Sequence, residues 1–249
     1  MKKVIWSFSL LVMALFLSCR EDDADRFFSG QNDKLIINFS VQDPTSGLAT
    51  RSAIAPEAGE ENVKTLDLFF FESNSTGTGT FKGLKELIAT PENPLVMNTD
   101  MVFDFSDIGL SMTEPYDILI VANMGDNYLP TDGSQTLADW KSAIQSKNYK
   151  EAKAEIQVFM SGTDTNVPEY TTKPLESDAL LMSASLKKGK QDTKLKAVLQ
   201  RAVSRFDIYN LAAGYTIETV SVWNAYPSLF VWNGEPNAFD KDAERIARL

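Results

Sequence analysis

Two short runs, Val63–Phe71 (VKTLDLFFF) and Tyr116–Ala122 (YDILIVA), are apolar on both faces of an extended chain. Half-exposed strands alternate apolar and polar residues, whereas strands covered on both sides do not. The two runs therefore read as central strands of a sheet. A third segment, Lys34–Val41 (KLIINFSV), does alternate. Leu35, Ile37, Phe39 and Val41 point one way and Lys34, Asn38 and Ser40 the other, and only Ile36 departs from a half-buried pattern.

Further extended segments are expected at Leu95–Met97, Met101–Phe105 and Thr216–Trp223 (TIETVSVW), with the stretch from Lys194 to Asn210 extended as well. One helix is predicted where Thr136 precedes Asp139 by three residues, the spacing of a capping box, and Leu137, Trp140 and Ile144 fall on one face. A second, shorter helix is predicted over Tyr149–Ile156. The sequence has no internal repeat and no low-complexity tract. Its fold class is mainly β: a β-sandwich with one or two inserted helices.

The connections carry information too. Gln42–Asn62 holds Pro44, Gly47, Pro56 and Gly59 with no periodicity, which predicts an exposed loop. Arg51 is the only basic residue between Lys34 and Lys64, so a trypsin-like protease meets one target there. Ser73–Thr80 (SNSTGTGT) is a turn. Its Gly77 and Gly79 lack the third glycine and the Lys-Ser/Thr pair of a phosphate loop.

The N-terminus reads MKKVIWSFSLLVMALFLS, with Lys2 and Lys3 ahead of an apolar run from Val4 to Leu17. That run falls short of the roughly 20 residues of a membrane span, so residues 1–18 read as a cleavable export signal. Phe16-Leu17-Ser18-Cys19 is similar to a lipobox, although Phe16 stands where leucine is usual. Cys19 is the expected site of acylation and, through its lipid, of an outer-membrane anchor; two or more acyl chains anchor stably. The acidic run Glu21-Asp22-Asp23 behind it looks like a surface-export signal of Gram-negative lipoproteins.

Composition narrows the chemistry. With 24 Lys+Arg against 34 Asp+Glu the chain carries −10, and −12 once the two leader lysines are gone. Nucleic-acid binding depends on cations displacing counterions, so nucleic acid is not an expected partner. There is no histidine, which removes the common general base, the Ser-His-Asp and Cys-His nucleophiles, and most zinc and copper sites. The single cysteine leaves no intrachain disulfide. No catalytic residue, metal site or cofactor is expected, and the chain reads as a structural protein rather than an enzyme. Paired carboxylates, abundant here, leave a hydrolase as a third class behind the two described next.

Several segments in order resemble the fimbrillin family, the FimA-like and Mfa-like subunits of type V pili. They are the lipobox leader, Leu48-Ala49-Thr50-Arg51-Ser52, Val63–Phe71, Tyr116–Asn123 (YDILIVAN), Leu180–Ser183 (LLMS), Leu199–Ile208 (LQRAVSRFDI) and Thr216–Asn224. The resemblance implies transthyretin-like β-sandwich domains, a lipoprotein precursor cut between Arg51 and Ser52, and a groove filled by a strand of a neighbouring subunit. It places the protein at the cell outer membrane and surface, in a fimbrium, with other pilin subunits as partners and host or bacterial surface ligands beyond them. It divides the chain into a signal peptide (1–18), a propeptide with the first strand (19–51), an N-terminal β-sandwich domain (52–193) and the start of a second β-domain (194–249). Relative to the family this second domain is short, and Asn237–Leu249 reads as charged and strandless.

Physics supports the strand-exchange reading independently. Burying each of Leu35, Ile37, Phe39 and Val41 is worth about 1.5–3 kcal/mol, so the four contribute at most roughly 6–12 kcal/mol. Removing such a strand exposes unpaired N–H and C=O groups, the situation that drives strand addition. The competing reading is a surface-retained anchor or a lipoprotein that binds glycan or host protein, with Trp223, Tyr226, Phe230 and Trp232 as stacking candidates; core or domain-junction packing is the simpler role for those rings. Replacing Cys19 tests the anchor directly: Cys19→Ser is expected to abolish palmitate incorporation and release the protein from the membrane fraction, as read by metabolic labelling and fractionation.

Overall fold

The computed structural model describes residues 33–42, 62–130, 133–159, 179–202, 214–216, 221–223, 228–232 and 246–248. The expected signal, Cys19, Arg51, Ser52 and most of the Gln42–Asn62 loop lie outside them. The main body is one seven-stranded sheet. Its strands are β1 (Lys34–Val41), β2 (Thr65–Glu72), β3 (Phe81–Ile88), β4 (Asp100–Asp104), β5 (Tyr116–Ala122), β7 (Met182–Lys188) and β8 (Lys194–Arg201). They lie in the order β3-β2-β5-β7-β8-β1-β4. Short strands β6 (Gln157–Phe159) and β10 (Ser228–Phe230) pair with each other, as do β9 (Ser221–Trp223) and β11 (Ile246–Arg248).

The sheet folds over at the β7–β8 junction, where only Met182↔Arg201 and Ser183↔Gln200 are paired. This divides it into two halves, β3-β2-β5-β7 and β8-β1-β4, with the main core between them. Leu66, Leu68 and Phe70 of β2 and Ile118, Ile120 and Ala122 of β5 fill that core from one side. Leu35, Ile37 and Phe39 of β1, Phe103 of β4 and Ala197 and Leu199 of β8 fill it from the other. The mainly β sandwich expected from the sequence is what the chain forms.

A second core explains why β2 and β5 are apolar throughout. Their opposite faces, Phe69, Phe71, Leu119 and Val121, pack beneath α1 (Leu137–Gln145) and α2 (Tyr149–Glu155), with Trp140, Ile144 and Ala152 descending from the helices. Both helices begin with a capping box, Thr136 with Asp139 and Asn148 with Glu151. The Ser73–Thr80 turn seats α2, because Tyr149 and Lys150 donate their N–H groups to the carbonyls of Gly79 and Gly77 at 3.0 and 2.9 Å. Gly79 passes so close to the Glu72 carbonyl that a Cβ would lie 1.5 Å from its oxygen, so only glycine fits there.

Two buried charges are matched by partners. Asp67, on the helix-facing side of β2, meets Lys141 of α1 at 2.8 Å, and Lys141 also reaches Glu86 at 2.5 Å. Burial pushes the Asp67 carboxyl up, against the pull of Lys141. Lys188, fully buried at the end of β7, donates to the carbonyls of Met112, Glu114 and Gly189 and lies over the rings of Phe105 and Tyr116. Its loss of solvation lowers the ammonium pKa.

The structure adds to and corrects the expected elements. β3 is an addition: Gly83 and three charged residues dilute its pattern, as suits a strand at the sheet edge. So is β7, whose Lys187 and Lys188 obscure the alternation. Of Leu95–Met97, only Leu95 pairs, through an isolated bridge to Val63. The C-terminal end is not strandless, since Ile246–Arg248 pairs antiparallel with Ser221–Trp223. Three residues are too few to show a period. β8 begins at Lys194, where the sequence reading opens a second domain, and is hydrogen-bonded into the main sheet on both sides.

The Asp67–Lys141 contact yields a signed pH prediction. Lys141→Met strands a buried carboxylate and is expected to cost about 3 kcal/mol at neutral pH. A carboxyl with a raised folded pKa favours the folded state when protonated, and that advantage is lost as pH rises through the folded value. The deficit of Lys141→Met relative to the unsubstituted protein should therefore shrink on acidification toward the ordinary value of 3.8. Urea denaturation of both proteins at neutral and mildly acidic pH measures this.

Candidate functional site

The site that stands out is the slot occupied by β1. An alternating strand has one face to bury, and β1 buries three of its four inward residues fully: Leu35, Ile37 and Phe39 are each 0% exposed, while Val41 at the end is partly buried. Phe39 meets Phe103 of β4 edge-on, with ring centroids 6.1 Å apart.

The neighbours of β1 are of opposite direction. β8 runs parallel to it, from Ile36↔Lys194 to Val41↔Leu199, and β4 runs antiparallel, from Lys34↔Asp104 to Asn38↔Asp100. Hydrogen bonds beyond the ladders close both ends. The Ile36 N–H donates to the Thr193 carbonyl at 2.9 Å and the Gln42 N–H to the Leu199 carbonyl at 2.8 Å. The Asn98 and Phe105 N–H groups donate to the Phe39 and Asp33 carbonyls at 2.6 and 2.9 Å.

β4 has β1 as its only ladder partner among the described residues, and β8 has β1 along all but its last two residues. The second half of the sandwich is thus assembled on β1. Taking β1 out leaves two facing strand edges and an open apolar floor, and both features invite another strand.

The outward face of the slot is polar and exposed. Asn38 donates to Asp100 at 3.1 Å, and Lys194 reaches the same carboxylate at 2.6 Å; these hydrogen bonds, that of Lys194 first, hold the Asp100 carboxyl below its usual range. Ile36, the residue that departs from the strand pattern, sits opposite Val102, which is 60% exposed. With Val198, 44% exposed opposite Ser40, the pair interrupts this polar face with apolar side chains.

Downstream of the loop, Asn123 clamps the chain where it re-enters the sheet. It adopts φ 61°, in the left-handed region that asparagine tolerates better than most residues. Its Oδ1 accepts from the Lys64 and Thr65 N–H groups at 2.7 and 3.4 Å. Its Nδ2 donates to the Asn62 and Leu180 carbonyls, both at 2.8 Å. The start of β2 is therefore tied to β5 and to the approach to β7, independently of β1. The sequence pattern marks YDILIVAN as a segment but assigns no role to its last residue.

The aromatic candidates divide. Trp232 donates its Nε1–H to the Ile120 carbonyl at 2.8 Å and stacks on Trp140 at 6.4 Å, so it packs against the second core. Phe230 lies in β10, half-buried. Tyr226 and the side chain of Trp223 lie outside the described residues, as do Cys19, Arg51 and Ser52. Among the described residues no cluster of three His, Cys, Asp or Glu could hold a metal ion, and no helix is long and apolar enough to cross a membrane.

The sequence matches no protein-family model and no curated protein. Solved structures do match. A protein of Parabacteroides distasonis described as a "putative cell adhesion protein" superposes with a TM-score of 0.50 at 17% identity, over 86% of this chain and 62% of that one. The two share a fold. A fimbrial assembly protein of the same organism aligns at a TM-score of 0.45 and 10% identity, over 87% of this chain and 70% of that one. The tip fimbrial protein Mfa3 of Porphyromonas gingivalis, C-terminally truncated, aligns at 0.43 and 16%, over 87% of this chain and 64% of that one. This chain spans less than two thirds of the length of the first of these.

The Asn123 clamp is testable on its own. Asn123→Ala removes an acceptor from two backbone N–H groups and a donor from two carbonyls, three of these contacts part-buried and the one to Leu180 buried. Its expected cost is about 2–3 kcal/mol, measured as a lowered urea midpoint with an unchanged slope.

Proposed function

We propose that this protein is a structural subunit of a cell-surface fimbrium: exported as a lipoprotein acylated at Cys19, cut after Arg51, and assembled by exchange of β1 for a strand of a neighbouring subunit. In this reading its partners are other pilin subunits, its lipid holds the precursor at the outer membrane, and adhesion is the biological role. The observation that carries the proposal is the position of β1, an alternating strand on which β4 and most of β8 depend for pairing. It is joined to β2 through the segment that contains the one basic residue between Lys34 and Lys64.

Three further points support it. Cutting after Arg51 separates β1 from the rest of the chain while the Asn123 clamp keeps Asn62–Thr65 in place. The fold is shared with a protein whose description is one of cell adhesion. The aromatic ring of Trp232 that a glycan-binding reading would use is engaged in packing.

Limited trypsin digestion tests the first step. Digestion of the full chain is expected to give a new N-terminus at Ser52 with the sandwich intact, and Arg51→Ala to prevent that cut. Edman sequencing of the large fragment reads the outcome. A body that loses its fold on cleavage, or cuts confined to other sites, would return the protein to the anchor or surface-binding class.

A further inference from the structure

The slot is not uniform along its length, and this bears on which strand can fill it. Four inward positions succeed one another along β1: Leu35, Ile37, Phe39 and Val41. The first three are fully buried, whereas Val41 retains contact with solvent. Phe39 is the largest side chain of the four. Its ring lies edge-on to Phe103, and its carbonyl is the one that accepts from Asn98 at 2.6 Å, just beyond the end of the β4 ladder. Removing β1 therefore leaves its largest gap beside the Phe103 ring, with a backbone donor fixed at the same level.

The outward positions impose much less. Asn38 and Ser40 face solvent in part, and their contacts to Asp100 and to the Ala197 carbonyl are a single exposed hydrogen bond and a long one of 3.4 Å. Hydrogen bonds and ion pairs at such exposed sites add little. An aromatic pair adds a directional edge-to-face contact to the area that it buries. An unfilled ring-sized hole in a close-packed core is among the costlier defects a protein can carry.

We propose that Phe39 marks the specificity position of the slot, so that the incoming strand belongs to a second chain with aliphatic residues at the first two inward positions and an aromatic ring at the third. The second chain presents an inward pattern of aliphatic, aliphatic, aromatic and small apolar residues, each separated by one outward residue. The outward residues are free to vary. This rests on the strand-exchange reading above and refines it by stating what the partner strand must look like.

The test uses the full chain, cut after Arg51 by limited trypsin, and labelled synthetic octapeptides with the sequence of Lys34–Val41. Uptake is followed by fluorescence anisotropy and by release of the N-terminal fragment. The unsubstituted peptide is expected to be taken up. Phe39→Ala in the peptide is expected to weaken uptake by about a hundredfold or more, and more than Ile37→Ala or Leu35→Ala does. Phe39→Leu is expected to fall between, and Asn38→Ala to stay within a few-fold of the parent. Equal binding of the parent, Phe39→Leu and Phe39→Ala peptides would overturn the specificity assignment and leave strand exchange standing. If the parent peptide is not taken up at all, both the assignment and the strand-exchange reading fall together.

Discussion

One strand holds this sandwich together. β4 pairs only with β1 among the described residues, and β8 reaches the remainder of the sheet through two residue pairs at its end. Everything on that side of the core, from Phe103 to Ala197 and Leu199, is positioned by hydrogen bonds to a strand that precedes all the others in the sheet. On the proposed reading, a strand that replaces β1 inherits both ladders and the whole apolar floor.

The other half of the molecule does not depend on β1 for its own ladders. β2 and β5 are buried on both faces and bonded to each other along their length, with α1 and α2 covering the side away from the slot. The Asp67–Lys141–Glu86 contacts fasten α1 to β2 and β3, and the Gly77–Gly79 turn fastens α2. Asn123 holds the residues that lead into β2, Asn62 and Lys64, without help from β1. Loss of β1 thus removes the partner of one half-sheet and leaves the ladders, the second core and the clamp of the other untouched.

How much of this is legible in the sequence follows from how strongly each segment is constrained. β1 and β5 are found at the boundaries that their patterns predict, since a strand with one buried face alternates and one with two does not. The cap of α1 is equally plain, because Thr136 with Asp139 satisfies a geometric rule local to four residues. β3 and β7 are not, as charged residues and, in β3, a glycine share those strands with the apolar ones, and their place in the sheet depends on distant partners. The pairing of β1 with both β4 and β8 is invisible to any local pattern. Its apolar face can be read directly; that two other strands depend on it cannot. Arg51 and Cys19 rest on sequence reasoning alone.

On the proposed function, β1 leaves when another strand arrives. Native mass spectrometry of the full chain cut after Arg51, mixed with a mass-tagged strand peptide, measures this by stoichiometry. The prediction is that one peptide enters for each N-terminal fragment released, with the body folded and of unchanged charge-state distribution. A complex that gains the peptide while retaining its N-terminal fragment, or a body that unfolds once the fragment departs, would contradict it.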